Sequence, residues 1–199
     1  MLCEIVINSN LTLRLFTLND APELASLIQA NSNHLSPWFI WASKIYSTQD
    51  AEKFIRKSQE AYENRQKMHL AIIYHNQIIG GTGWEYWQQQ NDPKHQLSTA
   101  SADLIYWLDE SATGQGIIHR TLTALLNHAF HERNLHRITI RCEPDNTRSC
   151  RVAEKLGFKL EGITRHVAHW QDRWIDLRIY AMLADDWPPP QTAQDSSHK

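Results

Sequence analysis

Leu11-Thr12-Leu13-Arg14-Leu15 alternates apolar and polar positions with a period of two, the pattern of a half-buried strand. Asp20 followed by Pro22 marks a helix start, with Ala21, Leu24, Leu27 and Ile28 as the apolar stripe behind it. Ser47-x-x-Asp50 opens a second helix in the manner of a capping box, and Ala51, Phe54, Ile55, Ser58 and Tyr62 fall on one face of it. Met68–Tyr74 and residues 77–85 predict two strands around His75-Asn76, a hairpin turn. Residues 88–100 are polar and turn-rich and predict a loop longer than a hairpin needs; 102–108 is strand again. Ile118, Leu122, Leu125, Leu126 and Ala129 follow helical spacing and predict the strongest helix of the chain. Ile138, Ile140 and Cys142 alternate with Arg137, Thr139 and Arg141 as a strand does. A short helix over 146–156 is closed by Gly157 as a left-handed cap with Phe158 behind it. Two last strands, 160–169 and 174–183, join at Gln171-Asp172-Arg173. Strands mixed with helices on this plan predict an α+β or α/β sheet protein.

Composition narrows the class. At 199 residues the chain is expected to form a single domain over 1–187, followed by a disordered tail over 188–199 that opens on Pro188-Pro189-Pro190. No apolar run approaches the roughly 18 residues of a membrane span, and Met1-Leu2-Cys3-Glu4 does not open a secretory signal. Cys3, Cys142 and Cys150 form no Cys-x-x-Cys pair and read as free thiols of a reducing cytoplasm. Lys and Arg total 20 against 22 Asp and Glu, with no basic block, so neither a nucleic acid nor a membrane is an expected partner.

The candidate chemistry lies where a strand, Tyr106-Trp107-Leu108, runs through Asp109-Glu110-Ser111-Ala112-Thr113 into Gly114-Gln115-Gly116 and then into the helix at Ile117-Ile118. Glycine lets a ligand approach the backbone, and a helix start offers unpaired N–H groups and a positive dipole end, so phosphate or pyrophosphate is the natural guest. Dipole assistance is worth only about 0.3–2 kcal/mol, so several N–H groups must share the work. Taken alone, Gly-x-Gly reads rather as a tight turn before a helix.

Three spaced motifs extend this stretch: Tyr106-Trp107-Leu108-Asp109-Glu110, Asp145-Asn146-x-x-Ser149, and Glu154-Lys155-Leu156-Gly157-Phe158-x-Leu160-Glu161-Gly162. With them the chain resembles the GNAT superfamily of acetyl-CoA-dependent N-acetyltransferases, and within it the ribosomal-protein-serine acetyltransferase branch, from about Leu11 to Leu183. The resemblance implies an α/β fold with a mixed, mostly antiparallel sheet splayed in the middle and helices on both faces. It implies acetyl-CoA as co-substrate, no metal, a homodimer, and an amine acceptor, foremost the N-terminus of a ribosomal or other protein. It places the pyrophosphate on Thr113, Gly114, Gln115, Gly116, Ile117 and Ile118, with Thr113 where Gln or Arg is usual and Ile118 at a position that is commonly small. The backbone of Tyr106, Trp107 and Leu108 is expected to pair with the pantetheine arm, although their side chains also fit plain sheet core. Asn146 matches an asparagine that contacts the cofactor arm, and Ser149 the serine proposed to protonate the departing thiolate. By spacing alone, Asn146 also reads as a helix cap and Ser149 as a solvated first-turn residue.

Related enzymes carry a glutamate nineteen residues after that serine, where this chain has Ala168; His166, His169, Glu85 and Asp176 are candidate substitutes. A weak base favours an α-amine, with a pKa near 7.8, which costs about 1 kcal/mol to neutralise at pH 7, over a lysine near 10.4 at about 4.6 kcal/mol. Trp38, Trp41, Trp84, Trp87 and Trp170 flank the segments expected around the acceptor and read either as pocket wall or as core. His128, His131 and His136 read as solvated side chains rather than metal ligands. Two alternatives stand beside the protein acceptor: a small-molecule amine (antibiotic, polyamine or aminoacyl-nucleotide), with the 88–100 loop closing its pocket, and a non-catalytic acyl-CoA-binding protein.

Overall fold

The computed structural model describes residues 4–42, 45–92 and 97–188, with side chains described outside 86–99. In chain order the elements are β1 (Glu4–Asn8), β2 (Leu11–Leu15), α1 (Ala21–Ala30), α2 (Ser32–Leu35), α3 (Thr48–Glu63), β3 (Met68–Tyr74), β4 (Gln77–Asp92), β5 (Leu97–Leu108), α4 (Ile117–Asn127), β6 (Arg137–Cys142), α5 (Thr147–Lys155), β7 (Lys159–Trp170) and β8 (Arg173–Leu183). The strands form one sheet in the order β1-β2-β3-β4-β5-β6-β8-β7. Every neighbouring pair is antiparallel except β5 and β6, whose parallel join needs α4 as its crossover.

Local chemistry explains the elements. Ser47 and Asp50 form the expected capping box, Ser47 Oγ accepting from the Asp50 N–H at 3.2 Å. His75 (φ 49°) and Asn76 (φ 63°) are both left-handed, as a two-residue hairpin that follows the twist of its strands requires. Gln171 (φ 48°) and Asp172 (φ 58°) make the same turn between β7 and β8. Gly157 ends α5 in the left-handed region at φ 86°.

Two apolar clusters sandwich the sheet. Leu13, Leu70, Ile72, Trp84 and Leu104 meet Leu122, Leu125 and Leu126 of α4 and Cys150 and Ala153 of α5 on one face. Leu24, Ala25 and Ile28 of α1 meet Ala51 and Ile55 of α3 and Ala71 of β3 on the other. Helices therefore lie on both faces, as expected.

Two expectations are corrected, and one alternative is decided. The polar stretch 88–100 is not a free loop: residues 88–92 pair with 97–101 and lengthen the β4–β5 hairpin, leaving only 93–96 of it outside the described residues. His128 is buried rather than solvated, because α4 continues into a π turn over His128–Glu132 that stacks its ring on Trp84 at 6.0 Å. Its Nδ1 lies 2.7 Å from Glu132, and burial foremost pushes the imidazole below its ordinary value. Trp84 itself is fully buried in the α4-side core and walls no pocket on the opposite face. The first strand, β1, carries Ile5 and Ile7 inward and escaped the period-two reading. The expected tail lies outside the described residues from position 189 onward. Among the described residues no helix is long and apolar enough to cross a membrane.

Candidate active site

The sheet parts at its parallel join. β5 pairs with β6 only through Ser101–Arg137, Ala102–Ile138 and Asp103–Thr139. Beyond Asp103, β5 stays paired to β4 as far as Leu108, and beyond Thr139, β6 stays paired to β8 as far as Cys142. Leu104–Leu108 and Ile140–Cys142 thus turn backbone edges toward one another without a ladder between them. Tyr106, Trp107 and Leu108 lie on the first edge, where the sequence placed the cofactor arm.

At the wide end stands α4. Its N-cap is Gly116, left-handed at φ 70°, with no side-chain cap. A Cβ at Gly114 (φ 78°) or Gly116 would meet nothing within 4 Å, so the backbone angle, not crowding, calls for glycine there. Thr113 does not extend outward: its hydroxyl donates to the Glu110 carbonyl at 2.7 Å, and the Gln115 amide donates to Ser111 O at 3.1 Å. These side chains shape the loop and leave the exposed backbone of 114–116 uncovered. Ile117 is buried and anchors the helix, while Ile118 packs at the margin of the core.

Across the cleft, Asn146 Oδ1 accepts from the Ser149 N–H at 3.1 Å and caps α5. Ser149 is half-buried rather than solvated, with Oγ 2.8 Å from the Tyr106 hydroxyl. Burial, above all, pushes the Tyr106 phenol up, so it is protonated throughout the neutral range. The pairing of Tyr106 with Ser149 joins residues 43 apart in sequence, and no local pattern announces it. Cys142 and Cys150 approach to 3.5 Å between sulfurs, and burial with the Cys150 contact pushes the Cys142 thiol up to about 12, far from a working nucleophile.

On the opposite face, β5, β6 and β8 enclose a cavity of about 460 Å³ lined by Ser101, Ala102, Asp103, Arg137, Thr139, Arg141 and Ile179. Asp103 holds Arg141 at 3.1 Å and accepts from the Thr139 hydroxyl, and Arg137 meets Glu161 at 2.5 Å. An aromatic group adjoins this face: Trp41 packs on Trp107 at 5.9 Å, on Phe39 at 5.0 Å and on Tyr46 at 6.3 Å. Trp107 lies over Gly81, where a Cβ would come within 2.6 Å of its indole nitrogen.

The candidate bases separate. His166 and His169 pack on the exposed Trp174 at 5.3 and 5.1 Å, and Asp176 accepts from the His166 N–H at 2.9 Å, all on the β7–β8 hairpin. Glu85 alone of the four stands beside β5, directly opposite Asp103.

A sheet parted at its single parallel join, with a glycine-capped helix at the mouth, is the architecture of acyl-CoA N-acyltransferases. The acetyltransferase (GNAT) domain profile matches residues 10–159, and the chain belongs to that family. It is 29% identical over 181 residues to the ribosomal-protein-serine acetyltransferase of Escherichia coli strain K12, covering 91% of this chain and 97% of that protein. The crystal structure of a ribosomal L7/L12 alpha-N-protein acetyltransferase with coenzyme A superposes with TM-score 0.83 at 26% identity, over 92% of this chain and 99% of the other. The microcin C7 self-immunity acetyltransferase, in complex with acetyl-CoA and AMP, superposes with TM-score 0.79 at 25% identity, over 89% and 94%. The protein is thus an N-acetyltransferase, and these complexes support acetyl-CoA as its co-substrate.

Proposed function

We propose that the protein moves the acetyl group of acetyl-CoA to a primary amine by direct attack in a ternary complex, with the N-terminal α-amine of a ribosomal or other protein as acceptor. One observation carries this reading: the gap between β5 and β6 opens on the Gly116 helix start and contains the Ser149–Tyr106 pair. The backbone N–H groups at 116–118 would take the pyrophosphate, and the free edge of Tyr106, Trp107 and Leu108 would pair with the pantetheine arm. The Asn146 side-chain carbonyl is committed to its cap, so the amide NH₂ is the group left to meet that arm.

The chemistry asks little of the acid. Expelling a thiolate with a pKa near 8.5 at pH 7 is about 2 kcal/mol uphill. The Tyr106 hydroxyl lies 2.8 Å from Ser149 Oγ and 3.2 Å from the Ser149 carbonyl it donates to; when it turns its proton to Oγ, the serine proton is free to pass to sulfur and the phenol can replace it. Holding both substrates in one cleft supplies the proximity that a direct attack needs. A primary α-amine is neutralised at pH 7 for about 1 kcal/mol, so an acceptor of this class suits a site in which Ala168 replaces a carboxylate.

Calorimetric titration with acetyl-CoA, followed by acetylation assays on Ser- and Ala-initiated peptides and on polyamines, tests the reading. Micromolar binding with peptide turnover supports it. Turnover on the polyamine alone assigns a small-molecule acceptor, and binding without turnover assigns a non-catalytic acyl-CoA-binding role.

A further inference from the structure

With Ala168 at the expected glutamate position, the acceptor nitrogen needs another anionic partner. Glu85 Oε1 lies 3.3 Å from His69 Nε2 and 3.4 Å from Lys67 Nζ, with a side chain 28% exposed. His69 is nine-tenths buried. Its Nδ1 lies 2.8 Å from the Ser58 hydroxyl, and its ring stacks on Phe54 at 5.4 Å. Its Nε2, turned to the Glu85 side, is buried without an aligned hydrogen-bond partner. In the β4–β5 ladder Glu85 stands directly opposite Asp103, the last β5 residue paired to β6 and a wall of the cavity. Opposed residues of an antiparallel pair share a face, and like charges so placed destabilise a sheet. The two carboxylates are kept together where the strands part, Asp103 held by Arg141 at 3.1 Å and Glu85 by Lys67 at a longer 3.4 Å, so Glu85 is the less tightly held acceptor for a further cation.

We infer that Glu85 receives the acceptor amine, and that His69 is the residue that positions it; the inference rests on the acetyltransferase reading above. The acceptor ammonium binds at the carboxylate and gives up one proton to water, which returns one to the Tyr106–Ser149 pair once Ser149 has protonated the thiolate. The nitrogen lone pair then forms the C–N bond at the thioester carbonyl, and positive charge builds on nitrogen in front of Glu85. The nitrogen loses its second proton through Glu85 to water as the C–S bond breaks, and the sulfur leaves with the electron pair and takes a proton from Ser149. Of the two protons lost by nitrogen, one is balanced by the thiol and one enters solvent.

The charged and titratable groups facing Glu85 are Lys67 and His69 of β3 and Asp103 of β5, with Arg141 of β6 behind Asp103. The His69 contact first, and then Lys67, hold the Glu85 carboxyl below its usual range against its burial. It is therefore ionised at every pH at which an α-amine reacts, and its own acid limb falls below the ordinary carboxylate range.

The test compares wild type with E85Q, E85D and His69→Gln on a Ser-initiated peptide across pH. Expected for E85Q are an acetyl-CoA affinity within twofold of wild type, kcat/KM at least a hundredfold lower, and at least tenfold weaker peptide binding to the CoA-loaded protein. E85D should recover part of the activity, which keeps the test decisive if E85Q folds poorly. His69→Gln should raise KM and move the acid limb upward, because Glu85 is no longer held low. Wild-type kcat/KM and peptide affinity in E85Q, or an unmoved acid limb in His69→Gln, overturns the inference. If wild type binds acetyl-CoA but acetylates no peptide, the protein-acceptor reading fails by itself. Ethanolamine titrated into CoA-loaded wild type and E85Q then decides: loss of binding in E85Q sustains the inference, and equal binding, or none in wild type, overturns it.

Discussion

The two helices that flank the parted strands begin in opposite ways. α4 starts on Gly116, which has no side chain and sits in a left-handed conformation, so the first turn receives no cap from its own chain. α5 starts on Asn146, whose carbonyl oxygen closes on the Ser149 N–H, and its first turn is satisfied internally. The first leaves backbone donors for a ligand; the second uses its cap to fix a side-chain hydroxyl beside Tyr106. On the proposed function the two helix starts divide the chemistry, one to hold an anion and one to deliver a proton.

Substitutions can break this division. Among the residues of these two helix starts the largest expected effect is on Ser149→Ala: turnover should fall about thirtyfold, the equivalent of the roughly 2 kcal/mol needed to expel the thiolate, with acetyl-CoA affinity unchanged by calorimetry. Equal turnover removes Ser149 as the acid. Gly116→Val should act on binding instead, weakening acetyl-CoA about tenfold, because a branched residue in the left-handed region costs roughly 1–2 kcal/mol. With nothing within 4 Å of the new Cβ, packing is not the cause, and kcat at saturating acetyl-CoA should hold. Asn146→Ala removes a cap worth about 1 kcal/mol, so the midpoint of thermal unfolding should drop by about 2–4 °C, with a modest fall in kcat as Ser149 loosens. Tyr106→Phe is expected to be the mildest, a loss of about 1 kcal/mol of stability and a few-fold in kcat, read by the same two assays.

Much of the frame was legible because it is local. Helical stripes, the Ser47–Asp50 box, the two left-handed hairpin turns and the Gly157 cap each act within a few residues, and all stand where the pattern put them. The 88–100 stretch misled because its strands are joined by backbone hydrogen bonds, which leave no apolar period to read. His128 misled because its burial comes from Trp84, two elements away. Gly116, Asn146 and Ser149 were visible as motif positions, yet what makes Ser149 more than a first-turn residue is a phenol from another strand. Glu85 was one of four equal candidates in sequence; only the β4–β5 register sets it against Asp103 and β3 sets His69 behind it.

The parting of β5 and β6 also gives the sheet two internal edges. Exposed edges invite pairing with foreign strands, and proteins ordinarily blunt them with charge, proline or a covering element. Here the two edges face each other across the gap, beyond Asp103 on β5 and beyond Thr139 on β6. An arm seated there would act as a removable strand, so that filling the gap and completing the fold are one equilibrium. At a hundred times its Kd such a ligand adds about 2.7 kcal/mol to the stability of the native state. On the proposed function the chain leaves part of its own sheet unmade, to be finished by its co-substrate.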